Sequence, residues 1–308
     1  GRGPYWNQFR ALGVPVYSLS PRKWLPLYVP RLLALIAREK YDVVHCHLFG
    51  ANWIAKPLAA LSGVPVRIAH DHCNDQLRYD RKLALFLDRF TNQLSQHVCA
   101  VSASTRDFLI EKEGLPADRV SLIYNGVDIA RFEGLPDRRN AARPMILGIG
   151  RLHPQKDFSL FLETAQVLTR KYPTAEFVIA GTGPEEPMLR ERAAELGLGG
   201  RLRFAGGVSD PRELYAQASM LLMTSRYEGT PMVVLEAMAS GIPVVAPALD
   251  GIREVLRDGE DAELVEGRDP NNFAARVLSL LDDPSRAGTL AEAAGRKVRA
   301  EYAADVMT

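Results

Sequence analysis

The sequence predicts an α/β protein of two doubly wound, Rossmann-like domains that face each other across a cleft. Short β-rich runs alternate with longer helical patterns along the whole chain, as in parallel sheets covered by helices. Eleven such runs are too many for one small sheet. A polar stretch containing Pro and Arg, Glu133 to Pro144, interrupts the alternation and is followed by a fresh strand pattern at Pro144-Met145-Ile146-Leu147-Gly148-Ile149-Gly150. The 308 residues accommodate two domains of about 150 residues each, placed at 1–140 and 141–308.

In the first domain, strands are expected near Val14 to Leu19, Asp42 to Cys46, Val66 to Ala69, His97 to Val101 and Val120 to Tyr124. The second has them near Met145 to Ile149, Glu176 to Ala180, Leu202 to Ala205, Met220 to Thr224, Pro243 to Ala246 and Ala262 to Val265. Gly1 to Leu12 reads as the end of a helix or a loop, with no opening strand and glycine turn before Val14. The first domain is therefore expected to lack an N-terminal βαβ portion.

Composition narrows the function classes. Apolar residues make up 47% and charged residues 24%, with a net charge of +1, which argues against a nucleic-acid binder. The total hides an asymmetry: residues 1–140 hold 19 Lys/Arg against 13 Asp/Glu, and residues 141–308 hold 19 against 24. The basic half suits an anionic partner such as a lipid phosphate or a membrane surface. Cys46, Cys73 and Cys99 are odd in number and widely spaced, which fits a reducing cytosol better than a disulfide framework. No apolar run reaches the ~18 residues that a membrane-spanning helix needs.

Ser225-Arg226-Tyr227-Glu228-Gly229-Thr230-Pro231-Met232 through Glu236 is the most informative stretch. A strand runs through a Gly-Thr-Pro turn into a helix, with one carboxylate at the turn and the other just over a turn inside. The helix N-terminus offers unpaired N–H groups and partial positive charge to a phosphate, while the carboxylates accept hydrogen bonds from hydroxyls. A ligand carrying both phosphate and hydroxyls is a nucleotide sugar. Gly148-Ile149-Gly150-Arg151-Leu152-His153-Pro154-Gln155-Lys156 ends the domain's first strand, so Arg151 and Lys156 reach the same sheet edge, a pair of cations suited to a diphosphate. A Walker loop is excluded because no Gly-Lys-Ser/Thr follows. Gly181-Thr182-Gly183-Pro184 and Gly206-Gly207-Val208 are further glycine turns at that edge, where a base and its ribose could approach the backbone. In the first half, His45-Cys46-His47 and His70-Asp71-His72 each put two imidazoles on one face of a strand. They offer either half of a metal site or a polar lining for a sugar hydroxyl or phosphate. A hydrolase metal site would need further His and Asp ligands on later strands, and only His97 and His153 remain, so no metal is expected.

These motifs, from Asp42-Val43-Val44-His45-Cys46-His47 through Asn125-Gly126-Val127-Asp128 and Gly150-Arg151-Leu152 to Glu228-Gly229-Thr230-Pro231 and Glu236-Ala237-Met238-Ala239-Ser240-Gly241, resemble the retaining GT-B glycosyltransferases of family 4, group 1. Arg67-Ile68-Ala69-His70-Asp71-His72 with Asn74 is similar to the branch that builds bacterial exopolysaccharide and capsule. The resemblance implies that Arg151 and Lys156 hold the donor diphosphate and that Glu236 holds the ribose hydroxyls. Glu228 and the backbone of Gly229, Thr230, Pro231 and Met232 would hold the donor sugar, and Val208 would meet the base through its backbone. His70 or His72 would contact the sugar near the reacting carbon, His72 being favoured because it lies further beyond the strand end. The expected activity is metal-independent, retaining transfer of a sugar from a nucleotide diphosphate, UDP being the family's commonest, to a polysaccharide or lipid-linked acceptor. No cofactor is expected. The expected location is cytoplasmic, at the inner face of the membrane. The family's glycine loop after the first strand has no counterpart here. A sugar-nucleotide epimerase or hydrolase and a non-catalytic nucleotide-sugar-binding fragment are the alternatives.

Overall fold

A computed structural model describes residues 6–19, 25–72 and 82–306. Cys73 and Asn74 lie outside the described residues. Contacts divide the chain near Leu122: most residues before it form one compact unit, while Ile123 onward, together with Ser102–Ser104, forms the other.

The first unit contains helices α1 (Trp6–Ala11), α2 (Leu25–Glu39), α3 (Phe49–Leu61) and α4 (Lys82–Gln93), most of α5 (Ala103–Glu111), and strands β1 (Val43–His47), β2 (Val66–Asp71), β3 (His97–Ala100) and β4 (Val120–Leu122). The strands form one parallel sheet in sequence order. Ile36, Leu58, Ala59 and Val64 make one small core, and Ala69, Val98, Ala100, Leu109, Leu115 and Val120 make another. Between the helices runs a buried polar chain. The Lys56 ammonium donates to Asn92 Oδ1, and Asn92 Nδ2 donates to Glu113 Oε2 at 2.5 Å. The strand expected at Val14 to Leu19 does not form: this stretch is irregular, with Val14 and Tyr17 exposed. Pro15 removes a ladder donor, and among the described residues β1 pairs only with β2.

The second unit contains strands β5 (Met145–Ile149), β6 (Glu176–Ala180), β7 (Leu202–Gly206), β8 (Met220–Leu222), β9 (Val244–Pro247) and β10 (Glu263–Val265). Its helices are α6 (Phe158–Lys171), α7 (Glu186–Glu195), α8 (Arg212–Gln217), α9 (Met232–Ala239), α10 (Asp250–Val255), α11 (Pro270–Asp282) and α12 (Pro284–Glu301). The parallel sheet has the order β10-β9-β8-β5-β6-β7, the doubly wound arrangement in which strand order reverses between β5 and β8. Apolar strand residues such as Ile146, Leu147, Phe177 and Val178 are buried on both faces, as a sheet covered by helices requires. Val127 and Phe132 belong to this core, so the segment before β5 packs with the second unit. Helices α11 and α12 start in sequence-legible ways: Asp269 and Asp283 accept from the backbone N–H of Asn271 and Arg286, and Pro occupies the first turn of each. Glu263 is fully buried in β10 and paired with Arg276 and Arg286 at 2.5 Å each.

Candidate active site

The strand-order reversal places the carboxyl ends of β5 and β8 side by side, and the two loops that leave them carry the charged residues. The loop after β5 runs through Gly150 and Arg151 to Lys156, and the loop after β8 runs to Glu228. Lys156 Nζ meets Glu228 Oε1 at 2.5 Å, with the carboxylate side chain 7% exposed and the ammonium 17% exposed. Their backbones are also joined, Arg226 N donating to Gln155 O at 2.8 Å and Thr224 Oγ1 to Lys156 O at 3.1 Å. Gln155 Nε2 donates to Tyr227 O at 3.1 Å. Asp157 takes left-handed backbone, φ +48°, at the start of α6. Its carboxylate binds Arg226 at 2.8 Å and Arg268 at 2.7 Å. Arg268 also donates to the Ser225 and Thr224 carbonyls, so one guanidinium ties both loops together. Arg151 is exposed on the same loop.

The turn into α9 is held from two sides. Asn125 Nδ2 donates to Thr230 O at 2.7 Å. Gly251 lets α10 press against the turn, since a Cβ there would lie 2.3 Å from Gly229 O. Pro231 is the N-cap residue and offers no side-chain cap, so Met232 and its neighbours begin a helix whose first N–H groups have no side-chain partner. Inside the helix, Glu236 Oε2 accepts from the buried Tyr215 hydroxyl at 2.9 Å. Burial raises the Glu236 carboxyl above its ordinary range, and the Tyr215 hydrogen bond pulls it partly back. The two acids of the motif thus have separate partners, Lys156 for Glu228 and Tyr215 for Glu236.

The glycines at this edge have a structural cause. A Cβ on Gly181 would sit 1.8 Å from Gly150 O, and one on Gly183 would sit 2.1 Å from Leu152 O. Backbone of the 150–152 loop fills the space a side chain would need, and Leu152 N donates to Thr182 O at 3.0 Å. Val208 lies exposed just beyond β7.

In the first unit, β1 and β2 pair in parallel with His47 opposite His70, so the two His-x-His pairs share one sheet face. His47 Nδ1 and His72 Nε2 are 3.0 Å apart. Burial, then repulsion by neighbouring imidazoles, lowers His70 to about 4, and burial lowers His72 as well. His97 stands apart, on Ser121 Oγ at 2.7 Å.

The sequence singles out Lys156, Glu228 and Glu236, but not Tyr215, Asp157 and Arg268, which hold Glu236 and the two loops in place. Only Asp157 had a signal, as the last polar residue before a helix.

The family model for group 1 glycosyl transferases matches residues 136–297, and that for glycosyltransferase family 4 matches residues 4–131. The chain belongs to this glycosyltransferase family. The D-inositol 3-phosphate glycosyltransferase of Frankia alni is 32% identical over 307 residues, covering 88% of this chain and 75% of that protein. The phosphatidyl-myo-inositol mannosyltransferase of Mycolicibacterium smegmatis is 32% identical over 275 residues, covering 87% and 69%. The fold of this glycosyltransferase matches Anabaena HepE, solved in complex with UDP-glucose, with a TM-score of 0.86 at 20% identity, over 99% of this chain and 86% of that one. Among the described residues, no helix is long and apolar enough to cross a membrane.

Proposed function

We propose that this glycosyltransferase moves a hexose from a UDP-linked donor to a polysaccharide or lipid-linked acceptor, with retention at the transferred carbon and no metal ion on the diphosphate. The observation that carries this reading is the Lys156–Glu228 pair at the β5/β8 switch point, beside the uncapped start of α9. Lys156 and Arg151 meet the growing charge of the leaving diphosphate, assisted by the N–H groups that open α9. Glu236 takes the ribose hydroxyls, and its hydrogen bond from Tyr215 fixes the carboxylate for them. Glu228 accepts from a sugar hydroxyl while Lys156 turns toward phosphate. Val208 meets the base through its backbone, with Gly181 and Gly183 shaping the adjacent turn. The leaving diphosphate itself takes the acceptor proton in a front-face displacement, so no protein base is required.

The acceptor is read as membrane-proximal, on the cytoplasmic side. The basic first half supports this, as does α4, which exposes Leu83, Phe86 and Phe90 beside Lys82 and Arg89.

Turnover of UDP-glucose with an acceptor panel tests the assignment. Lys156→Ala and Glu228→Ala should each lower turnover at least ~100-fold, the loss typical of one electrostatic stabiliser, with far-UV circular dichroism unchanged. Near-normal turnover in either variant overturns the roles given to this pair.

A further inference from the structure

The transfer chemistry leaves most of the histidine face unexplained. Ring centroids of His45 and His47 are 4.2 Å apart, those of His47 and His70 are 5.1 Å apart, and those of His45 and His70 are 5.6 Å apart. One ring nitrogen from each of these three residues lies within 4.8 Å of the other two. Both nitrogens of His70 are buried without a hydrogen-bond partner. A neutral imidazole has one donor and one acceptor, so His70 presents a lone pair that no protein group meets. Asp71 alternates to the opposite side of β2, where it is buried, so imidazole dominates this face.

We propose that His45, His47 and His70 bind one divalent transition-metal ion of the zinc, cobalt and nickel class, with His72 holding His47 from outside. Metal–nitrogen bonds of about 2.0–2.1 Å in tetrahedral geometry require ligand nitrogens somewhat over 3 Å apart. Rotation of the exposed His45 side chain closes the remaining gap. His47 Nδ1 is already engaged with His72 Nε2 at 3.0 Å, which leaves Nε2 of His47 for the ion. This is the arrangement in which a ligating imidazole is oriented through its second nitrogen. An all-imidazole set selects borderline ions over magnesium or calcium, which prefer oxygen. The site stands independently of the proposed transfer reaction, in which Lys156 and Arg151 meet the diphosphate charge.

The test uses the full chain, stripped with chelator and dialysed, then titrated with Co²⁺ by visible absorption and with Zn²⁺ by calorimetry, with Mg²⁺ as comparator. One equivalent of Co²⁺ with tetrahedral ligand-field bands is expected, and no Mg²⁺ binding. His45→Gln and His47→Gln should each weaken Co²⁺ binding by at least about 100-fold, while His97→Gln and His153→Gln bind as the parent does. His45 is exposed, so its variant keeps the fold and remains informative if His47→Gln does not. Absence of stoichiometric Co²⁺ binding, or unchanged affinity in His45→Gln, overturns the proposal.

Discussion

Tyr215 shows how a single buried residue can position a carboxylate. Its ring is fully buried, and its hydroxyl reaches both Val233 O at 3.1 Å and Glu236 Oε2 at 2.9 Å. Tyr215→Phe removes a hydrogen bond to a charged group, a class that contributes about 1.5–3 kcal/mol. The variant is expected to lose stability of that order in urea unfolding. It should also raise KM for the UDP donor about 10-fold, a change of about 1.4 kcal/mol, with kcat changed less. An unchanged KM would remove Glu236 from the nucleotide site. Lys156 and Glu228 were legible in the sequence because residues that follow parallel strands must gather at one sheet edge. Tyr215 and Arg268 were not, because their partners are fixed by packing between distant elements, and no local spacing encodes that.

At the scale of elements, the glycine turn after β6 separates a structural demand from a conformational one. Gly183 meets Leu152 O if given a Cβ, whereas Gly197, with φ +67°, has nothing within 4 Å. Gly183→Ala should displace the 150–152 loop that leads to Lys156, and a shift of about 1 Å at a catalytic group can cost ~100-fold in rate. Gly197→Ala should cost about 1 kcal/mol through left-handed strain alone, with turnover unaffected. Initial rates and denaturant midpoints of the two variants check this contrast, and equal turnover would show that the loop adapts. Ten of the eleven expected strands form among the described residues, because buried parallel strands write themselves as β-branched and apolar runs. The exception, Val14 to Leu19, has the right composition but pairs with no strand among the described residues, and pairing is what composition cannot report.

For the molecule as a whole, stability should carry the signature of one buried ammonium. Burial pushes Lys56 down to about 8, against partial compensation from Cys46, Asp88, Glu113 and Asp71. Below pH 8 the group is charged in both folded and unfolded chains. Between 8 and 10.5 the unfolded chain holds the proton and the folded one does not, so stability rises with pH by up to about 1.4 kcal/mol per unit. Urea unfolding across this window should show that rise in the parent relative to Lys56→Met, and parallel curves would contradict it. A second feature acts on the order in which the molecule is completed. Val127 donates to Tyr302 O at 2.8 Å and accepts from Ala304 N at 3.0 Å, two residues beyond the asparagine that holds the Thr230 carbonyl. On a ribosome, the segment around Val127 emerges early, yet its pairing partners are made long afterwards. The pairing that anchors the segment carrying Asn125 is therefore made last, and a nascent chain stalled before Tyr302 would leave that segment unpaired and open to proteases and chaperones.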